Sequence, residues 1–424
     1  MNIVMLTNTY LPHVGGVARS VAAFAAEYRA RGHRVLIVAP EFSQYVKGEE
    51  DVVRIHAIQN FNGSDFSVAL PFSGHLSDRL DEFQPDIVHS HHPFLLGMTA
   101  VRIARSRGLP LVFTHHTLYE RYTHYVPADS QALKRFVIEL ATRYANLASL
   151  VFAPSESIAR ILRERGVTTP IEEMPTGLQE EQYLPGDGAR MRAELGIPAD
   201  AYLLGHLGRL APEKNLEFTA LAVADFMQEH TDTHFLLVGS GPSSGMIENI
   251  FNARGMAGRL HVPGTLQGSR QRDAYAAMDT FVFASTSETQ GMVLTEAMAA
   301  SVPVVALDAN GSREVVRDKI NGRLVTAANR QDFSDAIAWI YRRSADDRRL
   351  LHTAALETAR DFSMERCATR ALDLYRPLLK KSWALDDSVY DQWMRLRNLI
   401  AAQWDILEGV TSAAGAAFGQ PPRR

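Results

Sequence analysis

Short β-branched runs alternate along the first half of the chain with segments whose apolar residues recur every three or four positions. Repeated strand–helix units of this kind predict a parallel sheet covered by helices on both faces. Asn2 to Thr7 reads as the first strand. The helix predicted from Val17 to Arg31 carries Val17, Val21, Phe24 and Tyr28 on one face, Gly32 closes it, and Arg34 to Ala39 resumes as strand. Further strands are predicted at Asp86 to His89, Leu111 to Thr114, Leu150 to Ala153 and Ile171 to Met174, with helices near 95–107, 131–147 and 155–165 between them.

Leu184-Pro185-Gly186-Asp187-Gly188 has the composition of a linker. A second series follows, with strands at Tyr202 to Gly208, His234 to Gly239, Leu260 to Pro263, Thr280 to Ala284 and Pro303 to Leu307. The pattern predicts an α/β protein of two Rossmann-like domains facing a cleft, with chemistry in the loops beyond the carboxyl ends of the strands. Beyond Phe362 the pattern is helical to about Leu379. Asp386 to Glu408 forms another helix in this reading, with Val389, Trp393, Leu396, Ile400 and Leu407 along a stripe suited to docking on the protein or on another subunit.

The length of 424 residues agrees with two cores rather than one. A net charge of -4 argues against nucleic acid as a partner. The single cysteine, Cys367, permits no intrachain disulfide and suits a reducing, cytoplasmic setting. No apolar run approaches the ~20 residues of a membrane span, and Met1 to Leu11 lacks a signal-peptide pattern. The expected location is therefore cytoplasmic, with peripheral contact with the inner face of the membrane left open.

Three loops hold candidate chemistry. Gly15 and Gly16, between the first strand and helix, let backbone N–H groups approach a phosphate or an acceptor. Gly208 to Asn215 follows a strand and opens a helix, so Arg209 and Lys214 sit where a departing diphosphate would be stabilised by fixed cations and helix-end amides. Ser287 to Glu296 follows another strand and sets Glu288 and Glu296 eight positions apart, beside Gly291. Carboxylates there can accept hydrogen bonds from sugar and ribose hydroxyls. Glu296, some two turns into its helix in this reading, would otherwise be expected on a solvated face.

These segments, with Val238 to Pro242, Gly15 to Ser20 and Gly32 to Pro40, resemble the GT4-like family of retaining glycosyltransferases, including its E-x7-E motif, over nearly all of residues 1–379. The resemblance implies the GT-B fold, with an acceptor-side domain over 1–185, a nucleotide-sugar domain over 186–362, a helix over 363–380 returning to the first domain, and a tail over 381–424 of unknown role. It implies that Gly16, Arg209 and Lys214 bind the donor, Glu288 the transferred sugar with Gln290, Gly291, Met292 and Val293, and Glu296 the ribose. The base would lie near Val262 to Leu266. His116, favoured over the adjacent His115, matches the histidine found near the sugar in similar enzymes.

No metal and no cofactor are expected. His89, His91, His92, His115 and His116 fit no established ligand spacing, and the sequence contains no Asp-x-Asp. Thr117 to Pro127 looks like the branch that glucosylates diacylglycerol, which favours UDP-glucose as donor and a membrane lipid as acceptor, with Tyr119 and Tyr122 as acceptor-side residues. A soluble sugar, sugar phosphate or inositol phosphate acceptor is the rival within the fold, and a nucleotide-sugar epimerase or hydrolase the rival in another class.

Overall fold

The computed structural model describes residues 1–13, 15–42, 51–58, 68–69, 74–121 and 130–381. Tyr122 and the helix expected over Asp386 to Glu408 lie outside them. Strands β1 (Asn2–Leu6), β2 (Arg34–Pro40), β3 (Val52–Ile55), β4 (Ile87–Ser90), β5 (Leu111–Thr114), β6 (Leu150–Ala153) and β7 (Ile171–Glu173) form one parallel sheet in the order β3-β2-β1-β4-β5-β6-β7. Strands β8 (Tyr202–Leu207), β9 (Thr233–Val238), β10 (Leu260–Gly264), β11 (Thr280–Phe283), β12 (Val304–Leu307) and β13 (Gly322–Val325) form a second, in the order β10-β9-β8-β11-β12-β13. Both are the parallel, doubly covered sheets that the alternation predicts. The short edge strands β3 and β13 escaped the sequence reading.

Burial explains the strand composition. Val4 and Leu6 face one core with Leu36, Val38 and Val88, while Ile3 and Met5 face another with Val35, Ile37 and Ile87. Both faces are dry, so the strands carry apolar residues at every position instead of alternating with polar ones. Each such side chain contributes roughly 1.5–3 kcal/mol on burial.

Helices α1 (Gly16–Ala30), α2 (Leu216–Glu229), α3 (Ser269–Ala277), α4 (Met292–Ala299) and α5 (Met364–Leu378) bear on the site. Helix α5 lies after the second sheet in sequence but packs on the first one: Ala368, Ala371, Leu372 and Tyr375 share a core with Val21, Phe24 and Tyr28 of α1.

The stretch read as a linker is anchored rather than loose. A Cβ on Gly186 would stand 2.3 Å from the carbonyl oxygen of Arg272, and one on Gly188 2.3 Å from that of Ala276. Those glycines permit close backbone approach to α3, and the helix Gly188–Glu194 begins within the stretch. Among the described residues no helix is long and apolar enough to cross a membrane.

Candidate active site between the two sheets

In each sheet the strand order reverses beside the first strand of its series, between β1 and β4 and between β8 and β11. Ligands of open parallel sheets bind outside the carboxyl ends at such switch points. The four loops that leave them carry Gly15 and Gly16, His91 and His92, Gly208 to Asn215, and Ala284 to Gly291. The helices α1, α2 and α4 start with no side-chain cap hydrogen bond at Gly15, Asn215 and Gly291. In α4 the N–H of Leu294 already donates to the carbonyl of Gly291 at 2.9 Å, so α1 and α2 are the helix starts best suited to an anionic ligand.

On the second sheet's side, Lys214 Nζ contacts Glu288 Oε1, both side chains being about four-fifths buried. Exposed Arg209 pairs with Glu213, which lies within the Gly208 to Asn215 segment but was not singled out in the sequence. Gln290 is buried and makes two reciprocal hydrogen bonds of 2.7 Å with the backbone of Thr176. Gly291 has φ +74, a conformation that costs an L side chain energy, and starts α4, on whose first turn lie the half-buried Met292 and Val293.

Glu296 lies little more than one turn into α4, not two, and is 3 % exposed rather than solvated. It is buried because four donors surround it: Arg19 at 2.8 Å and Gln182 at 3.3 Å on Oε1, and Gln271 at 3.0 Å and Tyr275 at 2.8 Å on Oε2. Arg19 stands on α1, so this bond joins the two sheets' domains. A cleft of about 580 Å³ opens beside Glu296, with Gln182, Arg272, Tyr275 and Arg360 in its wall.

On the first sheet's side, Gly16 is the first residue of α1, and a Cβ there would meet nothing within 4 Å, so open space lies above the helix start. His115 and His116 point to different surroundings. His115 is 1 % exposed, packs against Phe113 and Tyr119, and leaves both ring nitrogens without a hydrogen-bond partner among the described residues. His116 is half-buried and hydrogen-bonds His91 at 2.9 Å, while its carbonyl accepts from Thr289 Oγ1 at 2.8 Å, next to Glu288. Burial, then the neighbouring histidines, push its imidazole well below the usual range, so the ring is neutral at pH 7. Tyr119 packs on Phe94 and His115, and its hydroxyl is buried without a partner.

Further bonds cross the cleft. Ser155 Oγ donates to the carbonyl of Thr289 at 2.7 Å, Arg121 to that of Thr286, and Ser157 N to Glu314 at 2.9 Å. The loop bearing Glu288 is thereby held by the opposite domain. Arg19, Ser155 and Ser157 were not singled out in the sequence, since nothing local marks a residue whose partner lies more than 130 positions away. Among the described residues no three His, Cys, Asp or Glu side chains converge as a metal site.

The comparisons with known proteins agree with this fold. The profile of Glycosyltransferase Family 4 matches residues 14–182, and that of Glycosyl transferases group 1 matches residues 187–356. The chain is 28% identical over 330 residues to the alpha-monoglucosyldiacylglycerol synthase of Streptococcus pneumoniae, covering 76% of this chain and 75% of that one. It is 30% identical over 303 residues to the D-inositol 3-phosphate glycosyltransferase of Saccharomonospora viridis, covering 69% and 70%. The structure of Anabaena HepE in complex with UDP superposes with a TM-score of 0.70 at 22% identity, covering 89% of this chain and all of that one, and marks the fold as GT-B.

Proposed function

This chain belongs to Glycosyltransferase Family 4 and is a hexosyltransferase, and from that premise we propose that it moves glucose from UDP-glucose to the hydroxyl of a diacylglycerol-type lipid, keeping the α configuration. One observation carries the reading: the Lys214–Glu288 pair sits at the second switch point, and the next residue, Thr289, is bonded to the carbonyl of His116 from the first. Cation, sugar-binding carboxylate and histidine thus meet across one cleft.

As the bond between the anomeric carbon and the diphosphate oxygen breaks, positive charge spreads over the sugar ring and negative charge over the leaving group. Arg209, Lys214 and the open amides of α1 and α2 stabilise the second charge. Glu288, the amides of residues 290–293 and His116 hold the hexose, and Glu296 takes the ribose hydroxyls. The acceptor hydroxyl attacks on the face the diphosphate leaves, and its proton passes to the departing phosphate oxygen. No covalent nucleophile is assigned.

The lipid acceptor is supported by the glucosyldiacylglycerol synthases among the relatives. It is supported also by the helix Gln131–Ala145, whose Leu133, Phe136, Val137 and Ile138 are only half-buried beside Lys134 and Arg135. The identity to an inositol phosphate transferase favours a second reading, a soluble acceptor.

Incubation with UDP-glucose, GDP-mannose and other nucleotide sugars, each with diacylglycerol vesicles, inositol phosphate or no acceptor, followed by mass spectrometry of the products, decides between them. Hexosyl-diacylglycerol from UDP-glucose is the expected product. Transfer only to the soluble acceptor overturns the lipid assignment, and release of nucleotide at full rate without acceptor overturns transfer itself.

A further inference from the structure

His91 takes no part in the mechanism above, yet it is 1 % exposed and makes, among the described residues, the one ring hydrogen bond of His116, from its Nδ1 to Nε2 at 2.9 Å. It follows β4 at the switch point, where its backbone N–H donates to the carbonyl of Leu6 at 3.0 Å. Its ring lies on that of His89, 4.2 Å between centroids. His89 is itself held at both nitrogens, by Thr114 Oγ1 and by the hydroxyl of Tyr375, each at 2.7 Å. The second nitrogen of His91, Nε2, is buried with no hydrogen-bond partner among the described residues.

Burial and the surrounding histidines push both imidazoles well below their ordinary range, so each ring carries a single proton at pH 7. Only two arrangements then fit the bond between them. If His116 donates from Nε2, His91 must carry its own proton on Nε2, a buried N–H facing no acceptor. If His91 donates from Nδ1, its bare Nε2 is the unpartnered atom and His116 carries its proton on Nδ1. Buried backbone N–H groups without a partner are rarer than carbonyls without one, and on the same ground the arrangement that leaves a bare ring nitrogen unpaired, rather than an N–H, is favoured.

We infer that His91 is a positioning residue that fixes the tautomer of His116, so that His116 presents Nδ1–H to the transferred sugar. Nδ1 takes no partner among the described residues. The consequence is complementarity within the cleft: Glu288 accepts from sugar hydroxyls, and His116 donates to one. The inference rests on the proposed place of His116 beside the sugar.

The test uses the full chain with 15N-labelled histidine rings, assigned with the aid of His116→Ala, and reads each tautomer by NMR at pH 7.5. His116 is expected to be protonated at Nδ1. His91→Phe should move it to the Nε2–H form and lower kcat, with UDP-glucose and diacylglycerol vesicles, on the order of tenfold or more, the scale on which losing the partner of a functional histidine acts. UDP affinity should not change. His91→Asn, whose amide N–H falls near Nδ1 of the lost ring, should restore the Nδ1–H form and most of the turnover.

Protonation of His116 at Nε2 in the unmutated protein overturns the inference, as does an unmoved tautomer or an unchanged kcat in His91→Phe. Should His91→Phe fail to fold, an Nε2–H form of His116 in a folded His91→Asn overturns it equally. Full turnover in His116→Ala removes the sugar-facing role itself. Lost turnover there, with no tautomer change in His91→Phe, sinks this inference alone.

Discussion

Acidification should unfold this protein through its buried histidines. Burial pushes His89 and His92 down to about 3 and His115 and His206 down to about 4. An unfolded chain would protonate all four near the ordinary value of about 6.5. Between those limits the unfolded state binds more protons, so stability is fully present above about pH 7 and is lost as the pH falls through 6.5 toward the folded values. At pH 5 each histidine costs about 2 kcal/mol, and the four together about 8 kcal/mol. That is comparable with the whole stability of a typical domain, about 5–15 kcal/mol. His91 and His116, lowered by the same burial, act in the same direction. The direct assay is proton uptake on urea unfolding at pH 5.5 in a weakly buffered solution, where the four should take up about 3–4 protons per molecule. The urea midpoint should also fall between pH 7.5 and 5.5. Uptake below about one proton, with a flat midpoint, would refute the claim that these rings are held neutral in the fold.

Lys214→Ala and Glu288→Ala should each lower kcat by about a hundredfold or more while circular dichroism shows the fold intact; full turnover in either removes the leaving-group and sugar assignments. Arg19→Ala strips the charged cross-domain donor from the buried Glu296 carboxylate and should cost about 1–3 kcal/mol, seen as a lower melting temperature; an unchanged melting temperature would show that the 2.8 Å bond contributes nothing to stability. Gly291→Ala must adopt φ +74 and bring a Cβ within 2.9 Å of Leu294 Cδ1. It should lower the urea-derived stability by about 1–2 kcal/mol, and a neutral effect would contradict that backbone conformation.

Much of this molecule is legible locally. The apolar runs of β1, β2, β4, β5 and β6 and the three- and four-residue spacing on α1 identify the alternating units, because strand and helix periods are set by neighbours along the chain. The same units place Arg209, Lys214 and Glu288 in loops after strands. Edge strands β3 and β13 were missed because Arg54 interrupts the first and Gly322 and Arg323 the second, leaving no unbroken apolar run like those of the equally short central strands.

What lay beyond that reading depends on which surfaces meet. Gly186 and Gly188 read as part of a linker; the backbone of α3 that lies against them is visible only in the fold. The sequence favours His116 over His115 by resemblance alone; the packing turns His115 into the core with Phe113 and Tyr119 and sets His116 against His91, at the edge of the cleft. Glu296 would face water on an isolated helix, and Arg19, 277 residues away, is among the four donors that bury it. By itself the sequence determined the elements, the two-domain plan and the loops that carry chemistry, since each follows from patterns within a few tens of residues. Only the tertiary structure brought Lys214 onto Glu288 and Thr289 onto the carbonyl of His116, because burial and long-range pairing exist only once the two sheets face each other.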